Sequence, residues 1–248
     1  MSLKGEELLL YGVQYATYAL EVCVIATLAW KGRWRRLKGL GLYVASLFLL
    51  DGVARPAVSN FFGHESKQFF YFYWTTDLLF ALGAFLVICG FFRRACCKDE
   101  KLWSFIRLLL IFVFPVVLGV TALSFTRHYT DLKSNSFVIE FSQNLYFACL
   151  VLNTFLYLTL QQLAIEDDEL GLLVCGLGVQ FAGEAAGFAF LHLMNNYVSQ
   201  VLITFVAPGC TLAMLWIWVY AIGKTPLTAS EGYMQGGKEA LVEVLVDP

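Results

Sequence analysis

Seven long apolar blocks, separated by short polar loops, run through this 248-residue chain. A helix rises 1.5 Å per residue, so about 20 residues cross the hydrocarbon core of a bilayer. Charged residues make up 15% of the chain, against about 25% in soluble domains. The sequence therefore predicts an all-α, polytopic bundle of seven transmembrane helices over residues 1–224, followed by a short tail over 225–248. The predicted helices cover about 8–30, 40–57, 68–92, 103–125, 137–163, 170–193 and 200–223. The second is expected to end where Arg55-Pro56 stops the helix.

Two basic loops predict the orientation of the bundle. Residues 31–39 read KGRWRRLKG, with five basic residues in nine, and residues 93–101 read RRACCKDEK. Loops rich in Lys and Arg stay on the cytoplasmic side of a membrane, whereas acidic residues, such as those of 166–169, count little. We therefore expect the N-terminus outside and the C-terminal tail in the cytoplasm.

The third block contains an isolated acid. It opens with the aromatic run Phe69–Trp74 and continues through Asp77 into a long apolar stretch that ends at Arg93 and Arg94. A carboxylate inside a membrane costs at least about 2.5 kcal/mol unless it has a partner or water. The position of Asp77 therefore predicts a polar environment inside the bundle.

Other polar residues are predicted at a similar depth on neighbouring helices. Asp51 and Arg55 are spaced i,i+4 with the acid first, which favours an ion pair. Glu184 lies within Gly183-x-x-x-Gly187, a small-residue pattern that allows close packing of helices. We expect a ligand or ion pocket in the outer half of the bundle, and the alternative is that these groups only join helices through hydrogen bonds. The candidate pocket residues are Asp51, Arg55, Asp77, Glu140, Glu184, Tyr73 and Trp74, although the aromatic run is also typical of an interfacial belt.

The chain lacks the sequence signals of an enzyme. No nucleophile–base pair, phosphate-binding loop or Cys/His zinc spacing is recognisable, and the three histidines (His64, His128 and His192) are far apart in sequence. The net charge of −2 gives no reason to expect a nucleic-acid partner. We therefore predict a non-enzymatic protein with no catalytic residues, no metal site and no cofactor.

A seven-helix chain invites comparison with microbial rhodopsins. The segment Trp74-Thr75-Thr76-Asp77 resembles part of their third helix. Rhodopsins carry retinal on a lysine in the middle of helix seven, and the seventh block here has no lysine before Lys224. This departure excludes a retinal-binding rhodopsin. The chain also lacks the outer cysteines and Asp-Arg-Tyr motif of rhodopsin-like G-protein-coupled receptors, and the buried histidines of ceramidase-type amidohydrolases.

A closer resemblance rests on the basic loop after helix one and on an aromatic block followed by an acid. In both respects the chain is similar to a family of uncharacterised seven-helix membrane proteins in bacterial genomes, notably those of Acidobacteria. The segments that carry the resemblance are Arg33-Trp34-Arg35-Arg36 and Tyr71-Phe72-Tyr73-Trp74 with Asp77. The resemblance implies a bacterial inner membrane and no particular activity.

Two classes of function follow from these features. The first is a small-ligand sensor or an accessory subunit of a membrane complex, with the lipid bilayer and other membrane subunits or further copies of the chain as partners. The second is a proton- or ion-coupled transporter or channel that uses the intramembrane carboxylates. A pocket closed at the inner side favours the first class, and a water-filled path to both faces favours the second.

Overall fold

The structure, a computed structural model, describes residues 3–63, 66–96, 100–127, 134–163, 167–193 and 197–224. Within these residues it is helical apart from short turns. Seven of the described helices are long and apolar enough to cross a membrane, which confirms the predicted number. The tail over 225–248 lies outside the described residues. The long helices are α1 (Leu3–Trp30), α2 (Lys38–Phe62), α3 (Lys67–Ala95), α4 (Glu100–Arg127), α5 (Ser134–Gln162), α6 (Asp168–Leu193) and α7 (Tyr197–Lys224).

The predicted end of the second helix is wrong. Arg55-Pro56 does not stop α2, which continues to Phe62 after a π-helical segment over Phe48–Ala54. Proline is tolerated in the first turn of a helix, where its missing N–H has no helical partner to lose. Pro56 occupies such a position after the π-helical segment, and the Arg55 N–H bonds the Leu50 carbonyl five residues earlier. α1 also begins earlier than predicted, at Leu3.

The helices pack as a bundle in which α5 lies against α3, α4 and α6. α7 packs against α6 and α1, and α2 packs against α1 and α3. The contact between α6 and α7 is close because α6 presents glycines to larger side chains of α7. A Cβ on Gly176 would lie 2.8 Å from the indole Nε1 of Trp218, and one on Gly183 would lie 2.5 Å from the Sγ of Cys210. The predicted close contact at Gly183 is therefore confirmed; Gly187 is also buried.

Buried ion pairs hold one end of the bundle together. Arg33, in the turn between α1 and α2, bonds Glu169 of α6 at 2.6 Å, and their side chains are only 3% and 1% exposed. Arg94 of α3 bonds Asp167 at 2.6 Å and Glu169 at 2.9 Å. Lys31 donates to two carbonyl groups at the C-terminus of α7. We call this the basic end, and the end that carries Phe69–Trp74 the aromatic end.

This network brings together the three loops that the sequence predicts on one side of the membrane. Its partners are far apart in the chain, since Arg33 and Glu169 are separated by 136 positions. Asp167 also accepts the backbone N–H of Leu170 at 3.1 Å and so caps the first turn of α6. The acidic loop, which carries little weight in the orientation rule, therefore has a structural role that the sequence interpretation missed.

Candidate functional site

Arg55 lies between α2 and α3, surrounded by groups from both helices. Its Nη1 bonds the Asp51 carboxylate at 2.6 Å, which confirms the predicted ion pair. Its Nε donates to the Thr76 hydroxyl at 3.1 Å, and its guanidinium carbon lies 4.2 Å from the centre of the Tyr73 ring. An arginine over an aromatic ring gains a cation–π attraction. We call these four residues the Arg55 group.

The π-helical segment of α2 carries Asp51 into this position. Single π-helical turns inside α-helices occur frequently at functional sites, because they change the direction of the neighbouring side chains. The Asp51 carbonyl accepts a hydrogen bond of 3.2 Å from the Tyr18 hydroxyl of α1, and that hydroxyl accepts one of 2.6 Å from Gln14. Polar side chains of α1 thus lie against the Arg55 group. Glu21, on the same face, is 1% exposed.

A second polar group lies deeper, among α2, α3, α5 and α6. The Asp77 carboxyl faces the hydroxyl groups of Ser142 and Tyr146 on α5. The Tyr43 hydroxyl faces the side chain of Gln180. Glu184 lies near enough for its charge to interact with those of Asp77 and Arg55. We call the following six residues the Asp77 cluster: Tyr43, Asp77, Ser142, Tyr146, Gln180 and Glu184.

Several polar atoms of the Asp77 cluster face one another but make no hydrogen bond of normal geometry among the described residues. They are the Tyr43 hydroxyl, Asp77 Oδ2, Ser142 Oγ and Gln180 Oε1. The residues Tyr43, Ser142 and Gln180 are all at most 4% exposed. Buried polar groups in folded proteins nearly always have a partner, because an unmet hydrogen bond costs about 1–3 kcal/mol. Four such atoms, on four helices, lie in this cluster.

The candidate residues of the sequence analysis fall into separate groups. Asp51, Arg55 and Tyr73 lie together, and the charge of Arg55 also acts on Asp77 and Glu184. Trp74 and Glu140 each bury a polar atom, Nε1 and Oε2 respectively, that has no hydrogen-bond partner in the described part of the chain. No described polar contact joins either residue to Asp77. Whether these residues bind a ligand stays a prediction.

The sequence interpretation missed four members of the Asp77 cluster as site residues. Ser142 and Tyr146 are spaced i,i+4 on α5, and this spacing is a signal that sequence reasoning was able to use. Gln180 lies one helical turn before Glu184, which is a second signal of this kind. Tyr43 gave no signal, because its position depends on Gly83 of α3, where an added Cβ would lie 3.0 Å from the Tyr43 ring.

The bundle is mostly apolar between the Asp77 cluster and the basic end, with Asn153 of α5 as a buried polar residue in this region. Along α3, α5 and α6 in that direction, many of the side chains that face inward are completely buried. The Tyr43 ring itself contacts Trp218 edge to face at 6.3 Å. Dense apolar packing of this kind excludes water. Between the cluster and the basic end lie Ile88, Phe92, Leu156, Leu173 and Leu177, each 0% exposed.

The described residues contain no group of three His, Cys, Asp or Glu side chains that could together hold a metal ion. His64, His128 and the side chain of His192 lie outside the described part of the structure.

Fold and site together define a bundle of seven helices of membrane-spanning length that buries a polar cluster among four of them. No protein-family model, no curated protein and no solved structure matches the chain.

Proposed function

We propose that the chain is a multi-pass membrane protein that binds a small polar ligand within its helical bundle, as a sensor or as an accessory subunit of a larger membrane complex. The basic end faces the cytoplasm in this proposal, the aromatic end faces outward, and the membrane is a bacterial inner membrane. The family resemblance over the basic loop and the aromatic block supports that choice of membrane. The partner of such a protein is another membrane subunit or a further copy of the chain.

One observation carries this proposal, namely the convergence of unpartnered polar atoms in the Asp77 cluster. Polar groups inside a membrane are costly and most often mark functional sites. The Arg55 group lies toward the aromatic end of the same region and adds a guanidinium, a carboxylate and an aromatic ring. Such a mixture of a few placed polar groups and aromatic walls is typical of small-molecule sites.

The closed basic end favours binding over transport. A transporter needs access to its site from both sides of the membrane in turn. Here the apolar layer and the buried Arg33–Glu169 pair separate the Asp77 cluster from the basic end. Dense packing toward the basic end suits a sensor of an external ligand.

Helix irregularities favour a second candidate function, an ion- or proton-coupled transporter. α2 contains the π-helical segment, while α4 and α7 contain Pro115 and Pro208. Such irregularities are the usual places where membrane helices bend. Reconstituted vesicles distinguish the two candidates, because a transporter moves ions or substrate across the vesicle membrane and a sensor does not.

The central test is the replacement of Asp77 by asparagine, followed by native mass spectrometry of the protein purified in mild detergent. Asn keeps the shape of Asp but removes the charge. We expect the wild-type protein to carry an organic molecule, and the Asp77→Asn variant to retain it about 10–100-fold more weakly, because hydrogen bonds to charged groups contribute about 1.5–3 kcal/mol.

Asp168→Asn is the matched control, since Asp168 is an exposed acid at the opposite end of the bundle. Its ligand content should equal that of the wild type. Identical spectra for the wild type and Asp77→Asn, with both proteins folded, would contradict the proposal.

The orientation is tested by cysteine labelling in a variant that lacks the seven native cysteines. Asn60 is an exposed residue near the aromatic end of α2, and Glu100 is exposed at the start of α4. We expect an impermeant maleimide to label Asn60→Cys in intact cells and Glu100→Cys only after permeabilisation, because basic loops stay inside. The reverse pattern of labelling would invert the proposed orientation.

A further inference from the structure

We infer that the Asp77 cluster binds a small monovalent metal cation, of which Na⁺ is the natural probe, through oxygen atoms of Asp77, Ser142, Gln180, Glu184 and Tyr43. The inference rests on the proposed function in that it takes the bundle to be embedded in a membrane. The cation occupies the deep part of the polar region, and the organic ligand of the proposed function reaches the cluster from the side of the Arg55 group.

The chemistry of the unpartnered atoms supports a cation. The unpartnered atoms of the cluster are all oxygens, from a carboxyl, an amide and two hydroxyl groups. Hard cations bind oxygen ligands of these kinds. The amide oxygen of Gln180 and the second carboxyl oxygen of Asp77 are acceptors, and a metal ion satisfies several acceptors at once, whereas a hydrogen-bond donor satisfies one or two.

The charge of the region also favours a cation. Asp77 and Glu184 lie close enough for their charges to interact. Within the described part of the chain, the charge of Arg55 acts on both carboxyl groups, and Arg55 is already paired with Asp51 at 2.6 Å. Three carboxyl groups therefore share one guanidinium. An uncompensated carboxylate is costly in a medium of low dielectric constant, and a bound cation removes this cost.

The packing limits the size of the species that fits. Ser142 is 0% exposed, while Tyr43 and Tyr146 are each 3% exposed. The Tyr43 ring is confined between Gly83 and Trp218, so it leaves little room to move. A single ion fits between these buried side chains, and the organic ligand of the proposed function contacts the cluster only at its edge toward the Arg55 group.

The test compares the thermal unfolding of the purified full-length protein in NaCl with that in choline chloride at the same ionic strength. Choline is too large for the site, so it controls for screening by salt. We expect Na⁺ to raise the Tm of the wild-type protein by about 3 °C at concentrations several times the Kd. Ser142→Ala removes one ligand oxygen from a buried site and should lose most of this rise while remaining folded.

Asp77→Asn should also lose the increase in Tm that Na⁺ causes. Ser104→Ala, on the exposed surface of α4, should keep this increase in full. Equal Tm values of the wild-type protein in NaCl and choline chloride would overturn the inference, as would an undiminished Na⁺ effect in Ser142→Ala. Neither result bears on the proposed function, which depends on the organic molecule detected by native mass spectrometry.

Discussion

Replacing Glu169 with glutamine is expected to lower the free energy of unfolding by about 3–5 kcal/mol, because it removes the charge of a carboxylate that bonds a buried arginine. Arg33 and Glu169 are almost completely buried and lie 2.6 Å apart. Arg94 loses its second carboxylate partner in the same variant and keeps only Asp167. Thermal or denaturant unfolding in detergent measures the loss.

Asp168→Asn provides the matched control, because Asp168 is the neighbouring acid and is exposed. It should change the stability by no more than about 0.5 kcal/mol, as is usual for surface positions. The double variant Arg33→Met with Glu169→Leu should be more stable than either single change, since buried pairs replaced by apolar residues are often tolerated. If Glu169→Gln is as stable as Asp168→Asn, the pair does not hold the basic end together.

Replacing Gly183 with leucine is the second change for which we expect a large effect. Even a Cβ at this position would lie 2.5 Å from the Sγ and 2.6 Å from the Cβ of Cys210 on α7. These distances force α6 and α7 apart. Overpacking of this kind costs about 1–3 kcal/mol and sometimes more, and a leucine adds three further carbon atoms. A fall in Tm and in the yield of folded protein measures the effect.

Gly171 on the same helix is the control, because a Cβ there would have no neighbour within 4 Å. Gly171→Ala should be neutral or stabilising by up to about 1 kcal/mol, since alanine favours a helix over glycine. Gly183→Ala should destabilise the protein. A second substitution, at Cys210, tests whether the clash with that side chain is the cause. Cys210→Gly should relieve the clash and Cys210→Ala should not, because alanine keeps the Cβ. Equal stability of Gly183→Ala and Gly171→Ala would show that the helices separate at no cost.

The two substitutions break contacts near the Asp77 cluster. Glu169 belongs to the ion pairs at the basic end, and Gly183 is next to Glu184 of the cluster. The same contacts decide between the two candidate functions, because a transporter has to break them during its cycle. A Glu169→Gln variant that remained folded and gained ion flux in vesicles would favour the transporter. A variant that lost stability without any flux would favour the sensor or subunit.

The sequence alone determined the number and approximate limits of the helices, because apolar length is a property of each segment by itself. It also predicted the Asp51–Arg55 pair, which the geometry of a single helix brings together at a spacing of i,i+4. Gly183 also predicted a close helix contact from the sequence alone, because a residue without a side chain lets another helix approach. The π-helical segment of α2 escaped prediction, because Pro56 is an ordinary helix-ending signal in the absence of neighbouring helices.

Only the tertiary structure decided which helices are neighbours, and therefore which polar groups meet. Asp77 was recognised from the sequence as a residue in need of partners, but its neighbours Ser142 and Tyr146 lie on α5, more than sixty positions away. Arg33 and Glu169 likewise looked like members of separate surface loops. Apolar helix faces are interchangeable at the level of hydropathy, so the pairing of helices is set by the shapes of particular side chains. Two examples are the packing of Tyr43 against Gly83 and of Trp218 against Gly176. The first of these contacts positions the Tyr43 side chain of the Asp77 cluster.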